Sequence, residues 1–141
     1  MRDPESGSTL TLMPVGLLIV ILLASIAFDF AIVLHEEREL LNAASSAAND
    51  AVTYGFDVED FRATSVLALD EERVQSAVAT SVAIRQGSGS TTQILPVTYD
   101  GPTTVRVTLE RDVPLLFAAA VPGAPDHITV RSTASASLLR R

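Results

Sequence analysis

Apolar residues follow three patterns along the chain: an unbroken run near the N-terminus, helical spacing in the middle and alternation towards the C-terminus. Over residues 10–34 the only ionisable side chain is Asp29, and about 20 apolar helical residues are enough to cross the hydrocarbon layer of a membrane. Pro14 lies near the start of this run, where its missing N–H does little harm to a helix. We therefore predict a membrane-spanning helix over residues 10–34, preceded by a polar leader over residues 1–9.

Three roles are open for this helix: a permanent anchor, a cleaved secretion signal or the subunit-packing helix of a filament. Ser25 and Ala27 supply the small residues that a signal peptidase requires, but the leader is not basic and the apolar run continues beyond Ala27. These two features favour an uncleaved span. Because the remainder of the chain contains no second apolar run of this length, we expect a single-pass protein of the cell membrane, in contact with lipid, with an extracytoplasmic C-terminal domain.

Asp29 is a polar residue inside the predicted span, close to its C-terminal end. A carboxylate at this depth can extend to the membrane interface or be held protonated, and neither state requires a function. The alternative is a functional role, because ionisable groups inside membranes are candidates for functional sites. The first interpretation is favoured, and it predicts that replacement of Asp29 by asparagine is tolerated much better than the addition of a charge beside Leu34.

The helical pattern continues over residues 35–56, because this stretch contains no proline and its only glycine lies near its end. One side of the continuation consists mostly of small residues at steps of three and four, which places them on one helical face. Such a face allows close approach of a helix from another subunit, or it packs against the protein's own domain. This candidate helix-packing interface comprises Leu41, Ala44, Ala48, Ala51 and Gly55.

The region over residues 57–141 is predicted to complete a small α+β domain. Its first 13 residues are interpreted as a short helix or loop. A second helix follows, with Asp70 as its N-cap, Glu71 and Glu72 at the positive end of the helix dipole, and Gly87 as its stop. The apolar residues of this helix recur on one face, which we expect to pack on a sheet.

Alternating residues from position 94 onward predict an antiparallel sheet of three or four strands. Residues 94–99 and 105–109 alternate on either side of a turn, which is typical of a β-hairpin. Residues 127–138 predict a further strand. The intervening segment over residues 113–125 is apolar and contains three prolines, so we expect it to fold over the sheet or to form a contact patch.

Composition narrows the function classes. The formal net charge of −7 argues against a nucleic-acid partner. The chain has no cysteine, and all ten of its basic residues are arginines, which excludes disulfides, Cys-based metal sites and Schiff-base chemistry. His35 begins the stretch HEERE, but Glu39 occupies the position where a metalloprotease helix has its second histidine. We interpret these glutamates as a solvated collar above the membrane and expect neither enzymatic activity nor a cofactor.

The order of these features resembles the TadE/TadG-like proteins of tight-adherence (Flp) pilus systems. The resemblance is carried by a short leader that ends in Gly7 and Ser8, by Pro14 and Asp29 in the apolar helix, and by the alanine-rich residues 43–51. It implies a pilin-like fold and a non-enzymatic minor pilin or pseudopilin-like membrane subunit of a pilus or secretion machine. Other pilin or pilus-assembly subunits would then be its partners, and a surface pilus would be one of its locations.

The same resemblance implies cleavage by a prepilin peptidase after the glycine of the leader, which makes Gly7 and Ser8 the candidate processing site. Leu12 stands where substrates of this peptidase usually carry glutamate. Two alternatives stay open. The chain is a single-pass membrane-anchored binding domain that never enters a filament, or it is a soluble domain released by cleavage after Ala27.

Overall fold

The computed structural model describes residues 8–86, 91–118 and 123–138, which form three helices and four β-strands. The predicted α+β class is confirmed, because a long N-terminal helix is followed by a small domain with an antiparallel sheet. Gly87, the predicted stop of the second helix, lies outside the described residues. In chain order the elements are α1 (Ser8–Tyr54), α2 (Val58–Thr64), α3 (Glu71–Arg85), β1 (Thr92–Ile94), β2 (Thr98–Tyr99), β3 (Thr104–Pro114) and β4 (His127–Ser137).

α1 is one continuous helix of 47 residues, about 70 Å long at 1.5 Å per residue. Pro14 lies inside it near its start. The helix ends at Tyr54, two residues before the predicted end, although the Gly55 N–H still donates to the Ala51 carbonyl at 2.8 Å. Phe56 then forms an isolated antiparallel bridge with Leu69. The predicted span and its predicted continuation are therefore a single helix.

β3 is the central strand of the described sheet, because β4 pairs with one of its edges and both β1 and β2 pair with the other. The ladder between β3 and β4 is regular over all 11 residues of each strand. On the other edge, Ile94 pairs with Leu109. The next pair is Thr98 with Arg106, so this edge contains one residue more than β3 does over the same length. Pro96 lies in the break and cannot donate to a ladder, which explains why the predicted first strand is split in two.

The β3–β4 hairpin runs along the second half of α1. At the far end of the hairpin, the Leu69 N–H donates to the Pro102 carbonyl, and the Asp70 N–H donates to the Gly55 carbonyl. At the near end, the Leu116 N–H, just after β3, donates to the Asp29 carboxylate. The helix from Asp29 to Gly55 is about 40 Å long, and a strand from Pro102 to the turn after β3 is of similar length, so the two elements match.

The core lies between α1, the inner face of the sheet and α3. Alternate residues of β3 point towards α1 and are buried, as the sequence pattern predicts. Alanines dominate the buried face of α1, which lets the sheet and α3 approach the helix closely. The buried apolar residues are Leu40, Ala43, Ala44, Ala47, Ala48, Ala51, Val52, Val74, Val78, Val82, Val105, Val107, Leu109, Val113 and Val130.

α3 begins with the predicted N-cap. The Asp70 Oδ1 accepts a hydrogen bond of 2.8 Å from the Arg73 N–H, and Glu71 and Glu72 follow in the first turn. A further bond of 2.6 Å joins Ser81 of α3 to the Asp50 carboxylate of α1. The predicted start of this helix is therefore confirmed, and its apolar face packs on α1 beside the sheet.

Candidate functional site

Asp29, the only ionisable residue of the predicted span, is bound by a turn that is distant in sequence. It is only 8% exposed, although most residues around it on α1 are exposed. Its Oδ1 accepts hydrogen bonds from the N–H groups of Leu116 at 2.9 Å and Phe117 at 3.2 Å. Its Oδ2 accepts from Phe117 at 3.1 Å and from Ala118 at 3.0 Å. We refer to Asp29 and the turn over residues 116–118 as the carboxylate clasp.

The hydrogen bonds of the carboxylate clasp satisfy both the Asp29 carboxylate and the backbone N–H groups of the turn. Successive backbone N–H groups of a turn form an anion-binding concavity, and a buried N–H without a partner costs about 1–3 kcal/mol. The clasp corrects the interfacial interpretation of Asp29, because the side chain bonds to a turn 87–89 residues later in the chain and does not extend towards water. A sequence pattern within one helix cannot identify such a partner.

The apolar segment after β3 folds against α1 beside the clasp. The rings of Phe28 and Phe117 meet edge to face, with centroids 5.9 Å apart and planes at 88°. The Leu115 N–H donates to the Asp126 carbonyl at 2.8 Å and closes the base of the loop. The described part of the segment therefore lies on the helix and not over the sheet, and the alternative of a contact patch stays open because Leu116 and Phe117 are exposed. An apolar groove of about 600 Å³ separates the turn and the start of β4 from the first half of α1.

A buried arginine of the sheet contacts α1 at a point further along that helix than the clasp. Arg111 of β3 is 6% exposed, and its Nε and Nη2 donate to the Thr92 hydroxyl at 3.0 and 2.9 Å. Its Nη1 donates to the Glu36 carboxylate at 2.6 Å, and the Glu39 carboxylate lies 3.7 Å away. The predicted glutamate collar is thus only partly solvated. Glu37 is exposed, whereas Glu36 joins α1 to the sheet.

The candidate helix-packing interface is mostly enclosed in the chain itself. Ala44, Ala48 and Ala51 are completely buried in the core, where α1 contacts the sheet and α3. A Cβ on Gly55 would lie 2.4 Å from the Ala51 carbonyl oxygen and equally close to an α3 side chain, so only a hydrogen fits. Of the two alternatives for these small residues, the structure supports packing within the domain. Leu41 differs, because it is 46% exposed.

The first half of α1 differs from the buried alanine face, because its side chains are large and exposed. Near its N-terminus an 18-residue stretch has a mean hydropathy of 2.9 and is only 6% buried, which makes it long and apolar enough to cross a membrane. Large side chains surround the helix on all sides. The exposed ones are Met13, Val15, Leu17, Leu18, Ile19, Val20, Ile21, Leu22, Leu23, Ile26, Phe28 and Phe30.

The remaining predicted site residues are not brought together. Gly7 lies outside the described residues, and Ser8 begins α1. His35 lies 3.6 Å from Glu39 on an exposed surface of α1. The other histidine, His127, lies at the start of β4. Among the described residues, no group of three or more His, Cys, Asp or Glu side chains is arranged to hold a metal ion.

In comparisons with known proteins, no protein-family model, no curated protein and no solved structure matches this chain. The likeness to TadE/TadG-like proteins therefore stays a resemblance carried by the leader, the apolar helix and the alanine-rich continuation.

Residue spacing alone does not identify two features of the site. Arg111 had a signal, since it occupies an inward position in the alternation of β3, between Leu109 and Val113. A charged residue at an inward position of a strand requires a buried partner. The sequence signal for the turn that binds Asp29 is weaker. A lone carboxylate in an apolar run requires hydrogen-bond donors, but the sequence does not indicate which residues supply them.

Proposed function

We propose that this chain is a non-enzymatic, single-pass membrane subunit of a tight-adherence type pilus or secretion machine, with its domain on the extracytoplasmic side. The proposal combines two lines of support. One is the division of α1 into a bare apolar half and a half that forms the core of the domain. The other is the resemblance of the leader, helix and alanine-rich segment to TadE/TadG-like proteins.

The observation that carries the proposal is the continuity of α1. The helix crosses from the apolar stretch into the domain without a break, and the sheet packs directly on it. A rigid helix of this kind transmits the position of the membrane segment to the domain, whereas a flexible linker would let the domain move freely. Such coupling suits a subunit whose domain must take a fixed orientation in an assembly.

The test is fractionation of the tagged full-length chain in the cells that encode it. Sheared surface filaments, membranes washed at alkaline pH and the culture medium are each examined for the chain, and its intact mass is measured. We expect the chain in washed membranes and in sheared filaments. The intact mass reports whether residues 1–7 are removed.

A matched pair of variants shows which part of α1 is responsible. Leu22→Arg places a charge in the centre of the apolar stretch, where arginine costs about 2.5–3.5 kcal/mol in a membrane, and is expected to abolish membrane retention. Leu41→Arg changes the same residue type at an exposed position of the second half and is expected to leave retention unchanged.

The alternatives give different results. Retention in washed membranes without any chain in filaments would favour a membrane-anchored binding domain. Recovery from the medium with a mass that lacks residues 1–27 would identify a secreted soluble domain and contradict the proposal.

A further inference from the structure

We propose that the turn after β3 and the start of β4 form a second membrane contact beside α1. In this arrangement Leu116, Phe117 and Ile128 enter the hydrocarbon of the leaflet nearest the domain. The domain is thereby seated in the membrane surface. This inference rests on the membrane anchor of the proposed function, and it adds a lipid-binding surface on the domain itself.

The carboxylate clasp sets the depth of the turn. Its hydrogen bonds hold residues 116–118 at the level of Asp29 on α1. The next ionisable residue of α1 is His35, about 9 Å further along the helix axis. A hydrocarbon layer of about 30 Å that begins at residue 10 ends near residue 30. One that ends at residue 34 contains Asp29 entirely. Either placement puts the turn at the boundary of the hydrocarbon or within it.

Hydrocarbon admits irregular backbone only where the polar groups of that backbone are satisfied by protein. The three successive N–H groups of the turn meet this condition, because each donates to the Asp29 carboxylate. The same bonds provide Asp29 with partners that water would otherwise have to supply. The clasp therefore satisfies hydrogen-bonding groups of the helix and of the turn at the same time.

The surface of the turn is apolar and exposed, and Phe117 and Ile128 also line the groove beside α1. Leu116 is 61% exposed, Phe117 43% and Ile128 41%. In the sequence no charged residue occurs between Asp112 and Asp126, both of which are exposed and mark a polar border on the two strands. The apolar surface is continuous with the bare half of α1 through the contact of Phe117 with Phe28. This surface is continuous with the membrane span and is bounded by carboxylates. It therefore fits a lipid bilayer better than it fits a soluble protein partner.

The chain contains no tryptophan, so a single introduced tryptophan reports its own surroundings. We would reconstitute full-length Leu116→Trp in liposomes and measure its fluorescence quenching by lipids brominated along their acyl chains and by aqueous iodide. We expect blue-shifted emission, strong quenching by brominated lipid and little quenching by iodide. Emission at the wavelength of exposed tryptophan, with quenching by iodide alone, would overturn the proposal.

Two further tryptophans calibrate the result. Phe30→Trp lies in the apolar half of α1 and is expected to be quenched by brominated lipid, whereas Tyr54→Trp at the far end of the domain is expected to be quenched by iodide. If Phe30→Trp is not quenched by lipid, the membrane anchor itself fails. If Phe30→Trp is quenched by lipid but Leu116→Trp is not, only the second contact fails. Protection of Leu116→Trp from both quenchers would mean that protein covers the turn, which also overturns the proposal.

The role of the clasp is tested in the same assay. Asp29→Ala in the Leu116→Trp background removes the acceptor for all three N–H groups, and we expect the lipid quenching of Leu116→Trp to fall towards that of Tyr54→Trp. Phe30→Trp with Asp29→Ala should remain quenched, which shows that the span is still inserted. Undiminished lipid quenching of Leu116→Trp without Asp29 would contradict the assignment of depth to the clasp.

Discussion

The two halves of α1 are equally helical but differ in the size of their side chains. The first half presents leucine, isoleucine, valine and phenylalanine on all sides, and almost none of them is buried. The second half presents alanine to the sheet and to α3, and these alanines are buried. Large side chains provide apolar surface for a surrounding solvent such as lipid, whereas small ones let secondary structures approach. One helix thus combines an exposed apolar half with a half that belongs to the core of the domain, and residue size distinguishes the two halves.

Polar contacts join the hairpin to α1 near the boundary between the two halves, and two of them involve carboxylates of α1. Asp29 binds backbone N–H groups at the end of the bare half, and Glu36 binds the buried Arg111 about two turns later. The following predictions test the division of α1, from the largest expected effect to the smallest. All use the full-length chain in lipid nanodiscs or detergent.

The largest effect is expected from Arg111→Met, which removes the link between β3, β1 and α1. The change leaves Glu36 without its strongest partner and the Thr92 hydroxyl without two donors. Breaking a buried pair typically costs about 3–5 kcal/mol, and the partial exposure of Glu36 places the expected loss near about 3 kcal/mol. Chemical denaturation measures it. The double variant with Glu36→Leu should recover part of the loss, and a double variant less stable than Arg111→Met would contradict the pairing.

Asp29→Ala is expected to reduce stability by about 2–3 kcal/mol, because it leaves three N–H groups of the turn without their acceptor. The local measurement is hydrogen exchange of the amides of residues 116–118, which should accelerate strongly while exchange in β3 changes little. Asp29→Asn retains one acceptor oxygen, so the exchange rates of these amides in Asp29→Asn should lie between those of the parent and those of Asp29→Ala. Equal exchange in Asp29→Asn and the parent would contradict this intermediate effect. The comparison of Asp29→Asn with a charge added beside Leu34 stays a prediction.

Much of this arrangement could be predicted from the sequence. The apolar run, the Asp70 cap and the alternation of β3 and β4 are local patterns, and local patterns are readable from residue spacing. Pro96 is also a local signal for a break, because proline cannot donate to a ladder, but the short alternation around it indicates one continuous strand. The partners of Asp29 and the Glu36 partner of Arg111 were not readable, since they lie 75 or more residues away in the chain. Which structure covers the alanine face also depends on such distant contacts.

Ala48→Leu sharpens the comparison within the second half. Ala48 is completely buried, and overpacking a core position costs about 1–3 kcal/mol. The neighbouring Asn49 is exposed, so Asn49→Leu is the matched control and should change stability by less than about 0.5 kcal/mol. Thermal melting separates the two. An unchanged melting temperature for Ala48→Leu would indicate that the alanine face is free to contact another subunit.

The smallest effect is expected at Tyr99. Burial raises the pKa of its hydroxyl, with further contributions from Glu71 and Asp70, and the hydroxyl oxygen has no hydrogen-bond partner among the described residues. Above about pH 10 the unfolded chain loses this proton while the folded chain keeps it. Stability from this group is therefore complete below about pH 10 and is lost as the pH rises through the folded pKa.

Tyr99→Phe removes the unpaired hydroxyl and should be neutral or stabilising by up to about 1 kcal/mol at pH 7. It should also reduce the loss of stability above about pH 10. The only other tyrosine, Tyr54, is exposed, and Tyr54→Phe should leave the alkaline loss unchanged. Denaturation curves at pH 7 and pH 10.5 provide the comparison, and a Tyr99→Phe variant with the parent's full alkaline loss would contradict it.

The central claim is that the first half of α1 lies in lipid while the second half belongs to a domain in water. Because the chain has no cysteine, single cysteines at Leu23 and Tyr54 can be tested with a membrane-impermeant maleimide in intact liposomes. Both side chains are exposed on the same helix. We predict that Tyr54→Cys reacts at once and that Leu23→Cys reacts only after the membrane is dissolved and the protein denatured. Equal reaction of both in intact liposomes would show that the apolar half is not in the membrane and would contradict the account.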